Sequence, residues 1–338
     1  MKPWLLLPPK LAHDLSPLGL QLYSLFQKTA TPSWNSFIWK GIVFKNRLGI
    51  AGGIDKNAEL LNVWGPLGCG FTEVGTVVPE PQKSNSGKIM DRSLSDQALW
   101  NQMGFPSLGA DEVYYNVKNY RQNHYQVSSL PVLINIGKNR TTANESASSD
   151  YVQLLEKFYL LADAFVVNIS SPNTIGLRDL AKTENLNNFL RPILLARKNL
   201  LAQHGVEKPI LLKLSPDLQS DDFKSVVDTC LENSVDGFVL TNTTLSRTTQ
   251  KQFPDSGGVS GKPLQDLSKK SLQIVCNHLG LDRPKKLVIS AGGVMTAEDV
   301  FERIEMGADL VEVYSALIFE GPCFFRDVAQ TFYRKSGK

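Results

Sequence analysis

Eight short apolar runs recur along the chain, at residues 47–52, 71–77, 131–137, 164–170, 209–215, 237–243, 287–293 and 310–316. Each is rich in Val, Ile or Leu and nearly continuous rather than alternating, the pattern of a strand buried on both faces. Segments of helical period lie between them. Residues 150–162 carry Tyr151, Leu154, Leu155, Phe158 and Leu161. Residues 296–306 begin on Thr296 as a cap, continue Ala-Glu-Asp, and stop before Gly307. Eight strands alternating with helices predict an α/β fold, a (β/α)8 TIM barrel over residues 41–338, with a doubly wound sheet as the alternative.

Residues 1–40 read differently and form an N-terminal helical extension. Leu11, Leu15, Leu18, Leu22 and Phe26 recur at helical spacing, with Lys10, Lys28 and Lys40 nearby. Ser16-Pro17 suits the start of a second short helix, because proline is tolerated at a first helical position. Two placements are open: a helix packed across the bottom of the barrel, or a pair of helices on a membrane surface framing an apolar mouth.

Composition narrows the function. The chain has 338 residues, 42% hydrophobic and 20% charged, enough to bury one large barrel. A net charge of +3 gives no electrostatic support for a nucleic-acid partner. Cys69, Cys230, Cys276 and Cys323 show no C-x-x-C spacing, so no metal or iron–sulfur site is expected, and lone cysteines suit a reducing compartment. No apolar run approaches the roughly 18–20 residues that span a bilayer. The start, MKPWLLLPPK, lacks the h-region and cleavage site of a signal peptide. These features predict a protein kept inside the cell.

The polar residues capable of chemistry gather at one end of the predicted strands. Asp55-Lys56-Asn57, Thr76, Asn135, Asn168, Lys213, Asn242, Gly292-Gly293 and Tyr314-Ser315 lie within or just after the runs, and the C-terminal face of such a barrel is where active sites are built. The segment SGGVSGKPL imitates a phosphate-binding P-loop, but Ser256 stands where glycine is required and Pro263 where Ser or Thr is required. The stretch NISSPNTIGLR, 168–178, has no acidic residue or histidine before Arg178 to activate a hydroxyl. Taken alone it is a good polar turn.

Ten motifs occur in order: FKNRLGIAGGIDKNAE, EVGTV, NQMGF, INIGKN, NISSPNTIGLR, LKLSPDL, TNTT, GGVSGKPL, SAGGV and VYSALIFEGP. Together they closely resemble the quinone-dependent, membrane-associated class of dihydroorotate dehydrogenases, from about Leu11 to Phe325. The resemblance implies a barrel that binds flavin mononucleotide (FMN) and oxidises dihydroorotate to orotate in pyrimidine synthesis. It implies a hydride passing from C6 to flavin N5 and a base at C5. The register assigns the base to Ser171 rather than Ser170, where the soluble class has cysteine. Substrate contacts are implied for Lys56, Asn101, Gln102, Met103, Gly104, Phe105, Asn168, Asn173, Asn242 and Thr243, since asparagine offers donors and acceptors without charge. Cofactor contacts are implied for Gly52, Gly53, Ile54, Asp55, Lys56, Thr76, Asn135, Asn168, Lys213, Thr241, Gly261, Gly293, Tyr314 and Ser315. Arg92 and Tyr314 are implied at a quinone entrance.

The same resemblance implies a membrane quinone as electron acceptor, a peripheral position on the membrane (the cytoplasmic face of the inner membrane in a bacterium), and no partner subunit. Two departures stand out. Lys88-Ile89-Met90-Asp91-Arg92 replaces the usual Pro-Arg-x-Phe-Arg, and Ile175 stands where proline is usual. The alternatives are a soluble FMN barrel using fumarate or nicotinamide, and a non-catalytic flavin-binding scaffold.

Overall fold

The computed structural model describes residues 2–27, 32–123 and 130–337; Lys28 and His124 lie outside the described residues. Each of the eight predicted runs contains one parallel strand. They are β1 (Leu48–Ile50), β2 (Phe71–Val77), β3 (Val132–Ile136), β4 (Ala164–Asn168), β5 (Ile210–Leu214), β6 (Gly237–Leu240), β7 (Leu287–Ala291) and β8 (Leu310–Val313). Hydrogen bonding follows chain order, and β8 pairs with β1 to close the barrel. Every strand residue is buried, as strands sandwiched between a filled interior and a helical jacket must be.

Side chains alternate between those two environments. Val74, Ile134, Val167, Leu212, Phe238, Val288 and Val311 join the core beneath the helices. Phe71, Leu133, Val166, Leu211, Val239, Ile289 and Leu310 belong to a separate cluster filling the lower barrel. Two residues further along, the inward positions become Glu73, Asn135, Asn168, Lys213 and Glu312, all buried. The interior thus turns from hydrocarbon to polar over a single pleat.

The lower end is plugged by an antiparallel hairpin, Phe37–Trp39 with Ile42–Phe44, which the apolar periodicity did not reveal. Its turn residues Lys40 and Gly41 both have positive φ, 44° and 79°, as a tight two-residue hairpin turn requires. Trp39 and Phe44 enter the lower cluster, and Phe44 meets Phe71 edge-to-face with ring centroids 5.6 Å apart. The hairpin therefore belongs to the barrel although it begins before residue 41. A second unforeseen element, the antiparallel sheet of Met90–Ser93, Ala98–Asn101 and Gly258–Gly261, carries Arg92, Asn101 and Ser260.

One N-terminal expectation needs correction, and one of the two open placements falls. Pro9–Leu25 is one helix of 17 residues that runs through Pro17 rather than restarting there, preceded by a 3-10 turn, Pro3–Leu6. Nor does it cross the bottom of the barrel. It shares a cavity wall with Lys56 and Asn168, at the C-terminal end of the strands. Its leucine stripe faces outward: Leu11, Leu15, Leu18, Leu22 and Phe26 are 45%, 48%, 58%, 51% and 78% exposed. Among the described residues no helix is long and apolar enough to cross a membrane.

The other helix expectations hold, with shifted ends. Ala147–Phe158 buries Tyr151, Leu154, Leu155 and Phe158, while Leu161 lies beyond its end. Ala297–Glu305 starts with a reciprocal capping box between Thr296 and Asp299. Because the hairpin plug has no alternative partner at the barrel's lower mouth, Phe44→Ala is expected to cost about 3–5 kcal/mol of stability, measured as a lowered urea midpoint with an unchanged slope.

Candidate active site

The upper strand ends build a hydrogen-bonded floor. The Lys213 ammonium and the Asn135 amide both donate to Glu73 Oε1 at 2.6 Å. The Asn168 amide donates to Thr76 Oγ1 at 2.9 Å and to Asn135 Oδ1 at 3.3 Å. Glu312 stands 3.9 Å from Lys213. Lys213 keeps its proton: burial works against it, but the charges of Glu73 and Glu312 raise its pKa above the ordinary lysine value.

Above the floor, the turn after β4 separates the two serines. Ser170 Oγ donates to Asn168 Oδ1 at 2.9 Å and accepts from the Asn242 amide at 2.9 Å. Its hydroxyl is engaged, and it is not on the wall of the main cavity. Ser171 is on that wall, with Oγ accepting, among the described residues, only the Asn173 backbone N–H at 3.2 Å. The Asn173 amide donates to Asn101 Oδ1 at 2.9 Å. Arg178, for which the sequence suggested no role, braces the turn by donating to the carbonyls of Ser170 and Thr243 and to Asp217. Ile175 is 93% exposed at the loop's tip, so its side chain contributes nothing to this bracing.

The turn after β1 supplies Gly52, Gly53, Ile54, Asp55 and Lys56 to the same wall. Asp55 is committed locally, accepting from the backbone N–H groups of Glu59 and Leu60 and from the Trp64 indole. Burial nevertheless lifts its pKa to about 6. Lys56 has no carboxylate within 4 Å among the described residues, and burial lowers its pKa to about 8. A desolvated cation without a partner is costly, so this position is suited to an anion.

The strand ends and the turns after β1 and β4 border one cavity of about 790 Å³. Thr76, Asn135, Asn168, Lys213, Thr241, Gly293, Tyr314 and Ser315 line it from the strand ends. Asn101, Met103, Gly104, Phe105, Ser171, Asn173, Asn242 and Thr243 line it from the loops. Gln102 and Gly261 do not. The Gln102 side chain accepts from Ser256, and Gly261, at φ 90°, is pressed against the Gln97 carbonyl. Gly52 admits no side chain, since a Cβ there would stand 2.1 Å from Glu73 Oε1. Gly293 has φ 69°, and a Cβ would stand 2.4 Å from Gln265 Cα.

The N-terminal segment roofs the cavity with Trp4, Leu7, His13, Leu20 and Tyr23. Trp4, Arg92 and Tyr23 fasten it: the Trp4 indole donates to the Ile318 carbonyl at 2.7 Å, Arg92 donates to the carbonyls of Leu5 and Leu7, and Tyr23 OH lies 3.1 Å from Cys323 Sγ. The altered segment before Arg92 compensates itself, because Asp91 is paired with Lys88 and Lys251, each at 2.7 Å. His13, which no motif singled out, is kept neutral: burial, then the charge of Lys56, lowers its pKa to about 4. Glu73 and Glu312 were missed as well, although each stands in a strand otherwise made of neutral residues.

Comparison with known proteins agrees with this geometry. The family model described as dihydroorotate dehydrogenase matches residues 36–335. A "Dihydroorotate dehydrogenase (quinone)" of Photobacterium profundum is 38% identical over 325 residues, covering 94% of each chain. One of Halorhodospira halophila is 38% identical over 339 residues, covering 98% of this chain and 96% of the relative. The ferulenol complex of DHODH from Eimeria tenella superposes with a TM-score of 0.87 at 29% identity, covering 98% of this chain and 93% of that one. With the family model matching most of the chain and relatives 38% identical over nearly all of it, the chain belongs to the dihydroorotate dehydrogenase family.

Proposed function

We propose that this protein oxidises (S)-dihydroorotate to orotate, with FMN as resident cofactor and a membrane quinone as electron acceptor, in pyrimidine synthesis. One observation carries the reading: beside Ser171, the cavity collects an unpaired lysine, Lys56, and two buried polar atoms without partners, Asn173 Oδ1 and Thr243 Oγ1. Buried polar atoms need partners. A flat ring bearing N–H groups, carbonyls and one carboxylate supplies all three.

The residues fit FMN. Gly52 and Gly53, on the same cavity wall as Asn135 and Lys213, would let the ring approach the backbone closely, and the turn at Gly293 with Ser315 would hold the phosphate. Thr76, Asn168, Thr241 and Tyr314 would line the remainder of the group. When bound, FMN supplies the acceptor, at N5, for the hydride that leaves C6 of dihydroorotate.

The protein's own part is positioning and proton transfer. Lys56 pairs with the substrate carboxylate, and Asn101, Asn168, Asn173, Asn242 and Thr243 read the ring. Ser171 Oγ takes the C5 proton while its own hydroxyl proton passes to water, as a neutral hydroxyl acting as a base requires. Its backbone hydrogen bond from Asn173 fixes the oxygen while leaving a lone pair toward the cavity. The outward leucines of Pro9–Leu25 lie against the membrane surface, on the cytoplasmic face of the inner membrane in a bacterial cell, and quinone enters beneath that helix past Arg92 and Tyr314. This exposed apolar face favours a lipid-soluble acceptor over fumarate or nicotinamide, and no partner subunit is needed.

Anaerobic dihydroorotate should bleach the yellow protein, and ubiquinone but not fumarate should restore the colour. A variant lacking residues 1–27 should bleach normally yet recover poorly with quinone; equal loss of both steps would make the roof merely structural. Ser171→Ala is expected to slow bleaching by about 10²–10⁴-fold in stopped flow, and an unchanged rate removes Ser171 as the base. Lys56 is cationic below its pKa of about 8, so orotate affinity should weaken as pH rises through that value. Lys56→Met should bind weakly and lose this dependence, as read from the flavin absorbance shift.

A further inference from the structure

The eight barrel strands contain only three ionisable side chains, Glu73 on β2, Lys213 on β5 and Glu312 on β8. All three meet in the floor of the cavity. Their hydrogen bonding is lopsided. Glu73 Oε1 takes both available donors, Lys213 and Asn135, at 2.6 Å. Glu73 Oε2 and both oxygens of Glu312 are buried with no donor, and Lys213 is 3.9 Å from Glu312, too far for a hydrogen bond. Two carboxylates and one ammonium would leave a net charge of −1, sealed above hydrocarbon, with three acceptors unsatisfied. That arrangement is expensive. A single proton placed between the carboxyls removes the excess charge and converts one orphan oxygen into a donor for another.

We propose that Glu73 and Glu312 share one proton, making Glu73, Lys213 and Glu312 a charge-neutral floor that sets the reduction potential of the flavin above it. The inference rests on the FMN reading for its consequence, but not for the shared proton itself. Burial first, and then the charge of Glu73, holds the Glu312 carboxyl well above the ordinary carboxylate range. No other strand brings a charge to the floor. Below it, the Cys69 thiol is kept protonated by burial, which pushes its pKa up to about 12. Above it, the cavity presents the Lys56 ammonium and the neutral Tyr314 phenol, pushed by burial to about 12. A neutral floor does not oppose the negative charge that electrons bring to the ring, whereas a floor of −1 would.

The test uses the full-length flavin-containing protein. At mildly alkaline pH its infrared spectrum should contain a carboxylic-acid carbonyl band that shifts in D2O and is lost in Glu312→Gln. Glu312→Gln and Glu73→Gln should each keep the parent's flavin midpoint potential at neutral pH, because each leaves one carboxylate facing Lys213. The double variant gains a net positive charge, and its potential should rise. Absence of the band, or a single variant whose potential rises above the parent's, overturns the proposal. A band present in a protein that dihydroorotate fails to bleach would leave the shared proton standing and remove the proposed activity instead.

Discussion

The structure depends on one change of solvent inside the barrel. At Phe71, Leu133, Val166, Leu211, Val239 and Leu310 the interior is hydrocarbon, closed from below by Trp39 and Phe44. One pleat higher, the same strands present Glu73, Asn135, Asn168, Lys213 and Glu312. A parallel strand slipped by one residue would send those groups into the helical jacket, where no polar partner waits. The apolar lower half therefore fixes the register that the upper half needs. The ion pair of Lys213 with Glu73 is stable because Asn135 and the closed barrel hold both partners at their places.

The barrel was legible because its strands are buried on both faces, which produces continuous apolar runs that stand out from the helical segments. The loop residues were legible through motif resemblance: Ser171, Asn173, Asn101 and Lys56 converge on one cavity although they are far apart in the chain. The hairpin and the antiparallel sheet were not. Their strands are three or four residues long, too short to establish a period of two. Glu73 and Glu312 were overlooked for a different reason. Each is a lone acid in an apolar run, and only closure of the barrel brings Lys213 between them.

The N-terminal helix shows how an apolar stripe misleads when burial is assumed to be its purpose. Leucines at helical spacing ordinarily point to the core. Here His13 and Tyr23 roof a cavity together with Leu15 and Leu20, and Leu11, Leu18 and Leu22 are left largely outside. Pro17 suggested a break, since proline removes an internal hydrogen bond. The helix instead continues through it, held to the barrel by Trp4, Arg92 and Tyr23.

These features give the cavity two chemically distinct ends. The inner end has Lys56, Lys213 and a set of asparagines, which suit an anionic, amide-rich ring and the charge that accumulates as it reacts. The outer end is almost free of active charge. His13 is neutral by burial and the Tyr314 phenol keeps its proton. The Arg92 guanidinium is occupied with the Leu5 and Leu7 carbonyls, and Asp91 with two lysines. An anion entering there meets little attraction, while a neutral lipid-soluble molecule gives up little solvation. The two substrates of the proposed reaction are thus separated by polarity along a single cavity, and the same roof that lines it presents Leu11, Leu18 and Leu22 on its outside.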